Sequence, residues 1–164
     1  MPRDPNFSRV ASTVMEIRRA YEKERRVYNL YHRNKINNLI HAVFVPIEWF
    51  CFLHAFNMLN PTFALSMACL IFLYYTFLEA TIGCLIGGIN LILFSLSFYI
   101  LRSPSLFLPL HLQISSLLFI YLMSFFVQIV IGHGIFEGNK PAFTNSLTLN
   151  SIALSLLLAL NHLN

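Results

Sequence analysis

Long stretches without charge constrain this chain more than any other feature. Residues 38–101 contain two acidic residues and no lysine or arginine. Of the 164 residues, 57% are hydrophobic and only 11% are charged, with a mean hydropathy of +0.64, whereas a soluble domain has about 25% charged residues. We therefore predict a polytopic integral membrane protein. Because helices satisfy their own backbone polar groups in lipid, the predicted fold class is all-α.

Several apolar runs are long enough to cross a bilayer, which takes roughly 20 residues for about 30 Å of hydrocarbon. The four candidate spans are residues 39–56, 62–82, 84–101 and 110–131. The separators are residues 57–61, Gly83 and residues 102–109. A fifth run, residues 147–163, is shorter and contains Asn150, so spanning, re-entrant and surface positions all stay open. We predict four to five transmembrane helices and no cleavable signal peptide, since the first run starts late and is too long.

The first 38 residues carry nine of the eleven basic residues. Apolar residues at three- and four-residue steps predict an amphipathic helix over residues 12–31. It is either a solvated helix beside the membrane or a helix whose basic face binds anionic lipid headgroups, and no nucleic-acid partner is expected. The positive-inside rule places this end in the cytoplasm. We divide the chain into a basic segment, 1–38, and a membrane domain, 39–164, which forms one functional unit with residues 31–38.

The cysteines lie inside the apolar runs and lack CxxC spacing. They are Cys51, Cys69 and Cys84. We predict small core residues rather than a disulfide framework.

Two polar segments interrupt the apolar pattern. The first, YHRNKINNLIHAVFVP, covers residues 31–46; the second, GHGIFEGNKPAF, begins a predicted polar loop over residues 132–145. With the N-terminus in the cytoplasm, four crossings return the chain to the side on which it started. The two segments are therefore predicted to meet at one membrane face, which is the candidate site.

Histidines in these segments are candidate metal ligands. His32 and His41 are nine residues apart, so they converge only if the helix breaks between them, where an asparagine could cap a new helix. Together with His133 and Glu137, they form a ligand set suited to iron, zinc or manganese. The alternative is that each histidine binds a headgroup or a backbone group. Neither the HExxH zinc motif nor a clustered histidine box is present.

Other titratable residues lie outside this predicted cluster. His54 and His111, near the opposite ends of their spans, are predicted to be interfacial. Glu48 and Glu79 are predicted to be buried. Since Glu48 follows His41 by seven residues on the same helix face, it is either a partner behind the metal site or a hydrogen-bonding group between helices.

Both polar segments resemble the signatures of a known family. The first contains Tyr-His-x-Asn-x-x-Asn-x-x-Ile-His followed by Val-Pro, and the second contains Gly-His-Gly-x-Phe-Glu-x-x-x-Pro-Ala. In order and spacing they are similar to those of the Mpo-type proteins, small membrane proteins of the endoplasmic reticulum. The resemblance covers about residues 28–160.

This resemblance implies an iron(II)-dependent dioxygenase of fatty-acid α-oxidation in phytosphingosine breakdown. Such an enzyme converts a long-chain 2-hydroxy fatty acid and O2 to the fatty acid one carbon shorter, with loss of CO2. It also implies an endoplasmic-reticulum location in contact with membrane lipid, with the active site on the cytoplasmic side.

The resemblance also assigns roles to single residues. The implied iron ligands are His32, His41 and His133. Glu137 is the implied catalytic residue, as a ligand or a base. Those implied to bind or position substrate are Asn34, Asn37 and Lys35, with Arg33 and Lys140 as alternative cations for the substrate carboxylate. Two positions depart from the family pattern: Gln128 precedes His133 by five residues rather than one helical turn, and Glu48 replaces an apolar residue.

Two other functions stay open. One is a non-catalytic membrane scaffold or lipid-binding protein, which would need no metal. The other is a zinc-dependent lipid hydrolase with Glu137 as general base, which would need no oxygen.

Overall fold

The computed structural model describes residues 5–103 and 108–141, and every regular element in these ranges is a helix. The elements are α1 (Pro5–Tyr31), α2 (Lys35–Leu59), α3 (Pro61–Leu78), α4 (Ala80–Arg102), α5 (Leu110–Phe126) and a π-helix (Val127–Glu137) that continues α5. Within these ranges, four stretches are long and apolar enough to cross a membrane: α2, α3, α4 and α5 with its π-helix. The predicted all-α fold with four candidate spans is confirmed, and the fifth run, residues 147–163, lies outside the described residues.

A short break separates α1 from α2. Helix α1 ends at Tyr31 and α2 begins at Lys35, with Asn34 as the N-cap whose side-chain oxygen accepts a hydrogen bond from the Ile36 backbone N–H (2.8 Å). This cap satisfies a donor that the start of a helix leaves without an intrahelical partner. The predicted break between His32 and His41 is confirmed, while α1 starts at Pro5, earlier than predicted.

Single residues make the corners between the next helices. Asn60 ends α2 and caps α3, where its side-chain oxygen accepts from the Phe63 backbone N–H (3.1 Å). Glu79 forms the corner between α3 and α4 in an extended conformation. The second span therefore ends at Leu78, and its predicted extension to residue 82 is wrong.

Gly83 lies inside α4 and is not the separator that the sequence predicted. A Cβ atom there would overlap the backbone carbonyl of Tyr75 on α3. Its missing side chain lets α4 turn back closely against α3 after the corner at Glu79. The glycine thus marks a close helix contact, which requires a small residue, rather than the end of a helix.

Helix α2 is the centre of the bundle and contacts α3, α4, α5 and the π-helix. The Ser124 hydroxyl of α5 donates to the Phe44 carbonyl of α2 (3.0 Å). Because α2 begins where the π-helix ends, the two polar segments lie at the same end of the bundle. Their predicted meeting is confirmed. The division of the chain at residue 38 stays a prediction, and α2 runs continuously through that point.

Burial differs from the predictions at several residues. Cys51 is buried, but Cys69 and Cys84 are exposed on the outer faces of α3 and α4, so their predicted core position is wrong; none of the three forms a disulfide. Glu48 and Glu79 are half-buried rather than buried. In a membrane protein the outer surface is as apolar as the core, and hydropathy therefore does not separate the two.

The two histidines at the other end of the bundle differ from each other. His54 is buried, with its Nδ1 atom 3.1 Å from the Ser97 hydroxyl, to which Asn57 also donates (3.1 Å). The interfacial prediction is therefore wrong for His54. His111 is exposed.

Candidate metal centre

Three histidines converge at the end of the bundle where α2 begins. His32 lies in the break before α2, His41 lies in α2, and His133 lies in the π-helix. All three are buried. Each offers one ring nitrogen as a ligand atom, and these three nitrogens lie within 4.8 Å of one another. The ring centroid of His32 lies 4.7 Å from that of His41 and 4.7 Å from that of His133. The structure thus brings together the three residues that the sequence predicted as metal ligands.

The distances within this histidine cluster fit a shared ion. The Nε2 atoms of His41 and His133 are 3.2 Å apart. Two nitrogen ligands bound at about 2.1 Å to one ion lie about 3.0–3.4 Å apart at octahedral to tetrahedral angles. The histidine cluster could therefore hold a metal ion, and imidazole nitrogens suit iron, zinc, copper or nickel.

The buried ring atoms of the cluster support this interpretation. Among the described residues, the Nδ1 atoms of His41 and His133 are buried and have no hydrogen-bond partner. A hydrogen bond between the two rings would need one Nε2 to donate and the other to accept, so the two rings would have to be different tautomers. A metal ion would instead take the lone pairs of both Nε2 atoms.

Tyr28 and the backbone set the orientation of His32. The Nδ1 atom of His32 lies 3.0 Å from the Tyr28 carbonyl. Since a carbonyl oxygen only accepts hydrogen bonds, Nδ1 carries the proton and the lone pair is on Nε2. The Tyr28 ring stacks on the imidazole with a centroid distance of 3.6 Å and an interplanar angle of 3°. His32 is therefore held in the tautomer that a metal ligand needs.

Tyr28 is itself anchored by Asn38. Burial, with a contribution from the negative charge of Glu137, raises the pKa of the Tyr28 phenol far above its ordinary value, so the hydroxyl stays protonated. It donates to the Asn38 side-chain oxygen (3.3 Å), while the Asn38 amide donates to the carbonyls of His32 (3.1 Å) and Asn34 (3.3 Å). Neither Tyr28 nor Asn38 had a predicted role in the site. Tyr28 lies four residues before His32, about one helical turn, and this spacing was the available signal.

Glu137 joins the end of the π-helix to the break before α2. Its Oε1 atom accepts from the Arg33 backbone N–H (2.7 Å), and its Oε2 atom accepts from the Asn34 backbone N–H (2.9 Å) and the Asn37 side chain (3.2 Å). The Asn34 side chain also donates to the Phe136 carbonyl (2.8 Å). Both carboxylate oxygens are thus occupied by N–H donors, and Glu137 is not part of the histidine cluster. Its predicted catalytic role stays a prediction.

Two of the three residues predicted to bind substrate, Asn34 and Asn37, donate to this carboxylate. Asn34 caps α2, and Asn37 is fully buried beside Glu137. Lys35 is exposed in the first turn of α2. Their substrate roles stay predictions, and the hydrogen bonds of Asn34 and Asn37 to Ile36 and Glu137 connect parts of the chain to each other.

The second polar segment is partly helical, which corrects the predicted loop over residues 132–145. The π-helix continues to Glu137, where Gly138 ends it in a left-handed conformation (φ 63°). The i→i+5 hydrogen bonds of a π-helix make a wider turn than those of an α-helix, so residues five apart return to nearly the same face. Gln128 and His133 are both buried on that face. Their five-residue spacing, which departed from the family pattern, therefore fits this helix.

Replacing Gly132 by alanine is expected to weaken metal binding. An added Cβ would overlap the Asn37 side-chain oxygen, so the π-helix would move away from α2 and carry His133 with it. We expect about a tenfold or greater loss of metal affinity, as for other changes that misplace a ligand. Chelator competition with purified protein measures it. Gly134→Ala is the matched control, because the nearest atom to its added Cβ is at an ordinary 3.6 Å; equal effects of the two variants would contradict the prediction.

Fold and site together define a class: a helical membrane protein with a buried three-histidine cluster at one end of its apolar bundle. The sequence profile of the family described as "2-hydroxy-palmitic acid dioxygenase Mpo1-like" matches residues 18–163. The chain therefore belongs to the Mpo1-like family, as the two signatures indicated.

One curated relative is the 2-hydroxy-palmitic acid dioxygenase MPO1 of Saccharomyces cerevisiae, with 30% identity over 124 residues. The match covers 73% of this chain and 66% of the yeast protein, slightly less than two-thirds of that relative's length. No solved structure matches the chain.

Proposed function

We propose that this chain is an iron(II)-dependent dioxygenase that cleaves a long-chain 2-hydroxy fatty acid to the fatty acid one carbon shorter. The observation that carries the proposal is the convergence of three buried histidines at one end of four apolar helices. Membership of the Mpo1-like family supports the reaction class, and the name of the yeast relative supports the substrate class.

The proposed reaction is balanced by the substrate and O2 alone. The bond between C1 and C2 breaks, C1 leaves as CO2, and C2 becomes the new carboxyl carbon. The substrate loses four electrons, which reduce both oxygen atoms of O2, so the products are the shorter acid, CO2 and water. No further reductant is required.

The histidine cluster is the proposed iron site, with His32, His41 and His133 as ligands. Bound iron(II) would supply the one-electron chemistry that lets O2 react with a closed-shell substrate. Because neutral imidazoles leave the positive charge of the ion uncompensated, the site also favours an anionic substrate headgroup. The orientation of His32 by Tyr28 pre-organises one ligand before metal binds.

We propose distinct roles for the polar residues around the cluster. Lys35, exposed at the start of α2, is the proposed partner of the substrate carboxylate, with Arg33 and Lys140 as alternatives. Glu137 is a positioning residue, since three N–H donors already occupy its oxygens and oppose the proton uptake that a general base needs. Asn34 and Asn37 position the two helix ends rather than the substrate.

The fold suits a substrate with a polar head and an apolar tail. The outer faces of α2 and α5 carry exposed apolar side chains, among them Val43, Leu118 and Leu122. The acyl chain would lie along such surfaces within the bilayer while its headgroup reaches the histidine cluster. We propose that the site faces the cytoplasm in the endoplasmic-reticulum membrane, which the basic α1 helix supports.

A direct assay tests this function. We expect purified protein, loaded anaerobically with iron(II) and given 2-hydroxypalmitic acid, to form pentadecanoic acid and CO2 only when O2 is admitted, as measured by mass spectrometry. Turnover of a lipid without O2 would favour a zinc-type hydrolase. Folded protein that retains no metal and gives no conversion would favour a scaffold or lipid-binding protein.

A further inference from the structure

A carboxylate lies within the first membrane-spanning helix, away from the histidine cluster. Glu48 follows His41 by seven residues, about 10 Å along α2. Its Oε1 atom accepts a hydrogen bond from the Gln128 side-chain amide (2.7 Å), which comes from the π-helix. An ionisable residue in a membrane span is costly and usually has a function that involves a specific partner. Here the partner is Gln128, on the helix that carries His133.

The hydrogen bonds of Gln128 determine which way its amide faces. Its Nε2 atom donates to Glu48 and lies 3.4 Å from the Ser124 carbonyl. Both of these partners are acceptors, so the NH2 group must face them and the amide oxygen must face elsewhere. Gln128 is only 5% exposed, so this orientation is held in a buried setting.

His41 lies next along the contact between α2 and the π-helix. Gln128 binds Glu48, and five residues later His133 contacts His41, whose Nδ1 atom is buried and has no hydrogen-bond partner among the described residues. A metal-ligating histidine almost always donates its other ring N–H to an acceptor that orients the ring. The Gln128 amide oxygen is the acceptor that this arrangement offers to His41.

We propose that Glu48 is a positioning residue for the metal centre. It acts through Gln128 on the imidazole of His41. Glu48 holds the amide with its oxygen toward His41. Gln128 then orients the ring so that its Nε2 atom faces His133. This inference rests on the proposed metal site but not on the dioxygenase reaction.

Cobalt(II) binding to the purified full-length chain tests the proposal. Chelator competition reports affinity, the visible spectrum of bound cobalt reports ligand geometry, and thermal unfolding of the metal-free protein reports the fold. We expect Glu48→Leu and Gln128→Leu each to weaken cobalt binding about 10–100-fold and to change the spectrum. Because the two residues act in one chain, the double variant is expected to be little worse than either single variant.

Two further variants sharpen the test. Glu48→Gln keeps an oxygen acceptor for Gln128 and is expected to restore most of the affinity. Glu79→Leu is the matched control, since Glu79 is also half-buried but lies at the corner between α3 and α4, and its cobalt binding is expected to be unchanged.

The outcomes separate this inference from the proposed site. If Glu48→Leu lowers the unfolding temperature but leaves cobalt affinity and spectrum unchanged, Glu48 only ties two helices together and the inference is overturned. Independent, additive losses in the double variant would also overturn it. If the unaltered protein binds neither cobalt nor iron, the metal site itself fails.

Discussion

Replacing His133 by alanine is expected to abolish metal binding and turnover. The three histidines are the only close group of potential metal ligands in residues 5–103 and 108–141, so the loss of one leaves two neutral imidazoles. Changes to residues behind a ligand already cost 10–100-fold in affinity, so the loss of a ligand is expected to cost more than about 100-fold. His41→Ala removes the other nitrogen of the 3.2 Å contact between the two Nε2 atoms, and we expect the same loss of metal binding and turnover.

Metal content after dialysis against a chelator, measured by mass spectrometry, checks this expectation together with the product assay. His111→Ala is the matched control, because His111 is an exposed histidine near the other end of the same continuous helix. Normal metal retention in folded His133→Ala protein would contradict the assignment and leave the histidines as interface residues.

Replacing Glu137 by alanine or glutamine is expected to loosen the site without removing a ligand. Alanine leaves three N–H donors without their acceptor at the junction of α1, α2 and the π-helix. Hydrogen bonds to a charged group contribute about 1.5–3 kcal/mol each, and since they share one carboxylate we expect a net loss of about 3 kcal/mol. Glutamine does not restore all three hydrogen bonds, because its NH2 group would face one of the backbone N–H groups.

The two Glu137 variants separate a positioning role from a catalytic one. If Glu137 positions the helix ends, both variants lower the unfolding temperature in detergent and weaken metal binding together with turnover. If it were a general base, Glu137→Gln would lose turnover while metal affinity and unfolding temperature stayed at their original values. Glu16→Ala, on the exposed face of α1, is expected to change none of the three quantities.

Much of the architecture could be predicted from one-dimensional patterns. Apolar runs of bilayer length predicted four helices, and the parity of four crossings predicted that residues 31–46 and the segment beginning at Gly132 lie at one end. The asparagines between His32 and His41 predicted the break that lets these histidines converge. Each of these inferences depends on local hydropathy or local hydrogen bonding, which the sequence carries directly.

The errors arose where a residue's surroundings come from distant parts of the chain. Cys69 and Cys84 were predicted to lie in the core, but an apolar residue in a bilayer is equally stable on the outer face. His54 was predicted to be interfacial, but Ser97 on α4 provides it with a buried partner. Gly83 was predicted to end a span, but it makes room for the backbone of α3.

The sequence by itself determined that this chain is a bundle of apolar helices with two polar, histidine-containing segments at one end. Tertiary structure alone decided how those segments interlock. The carboxylate of Glu137 binds backbone groups 103 and 104 residues earlier in the chain, and the Gln128 amide binds Glu48 across 80 residues. Such contacts depend on which helix faces meet and on the wide turn of the π-helix, and no local pattern of polarity encodes either of them.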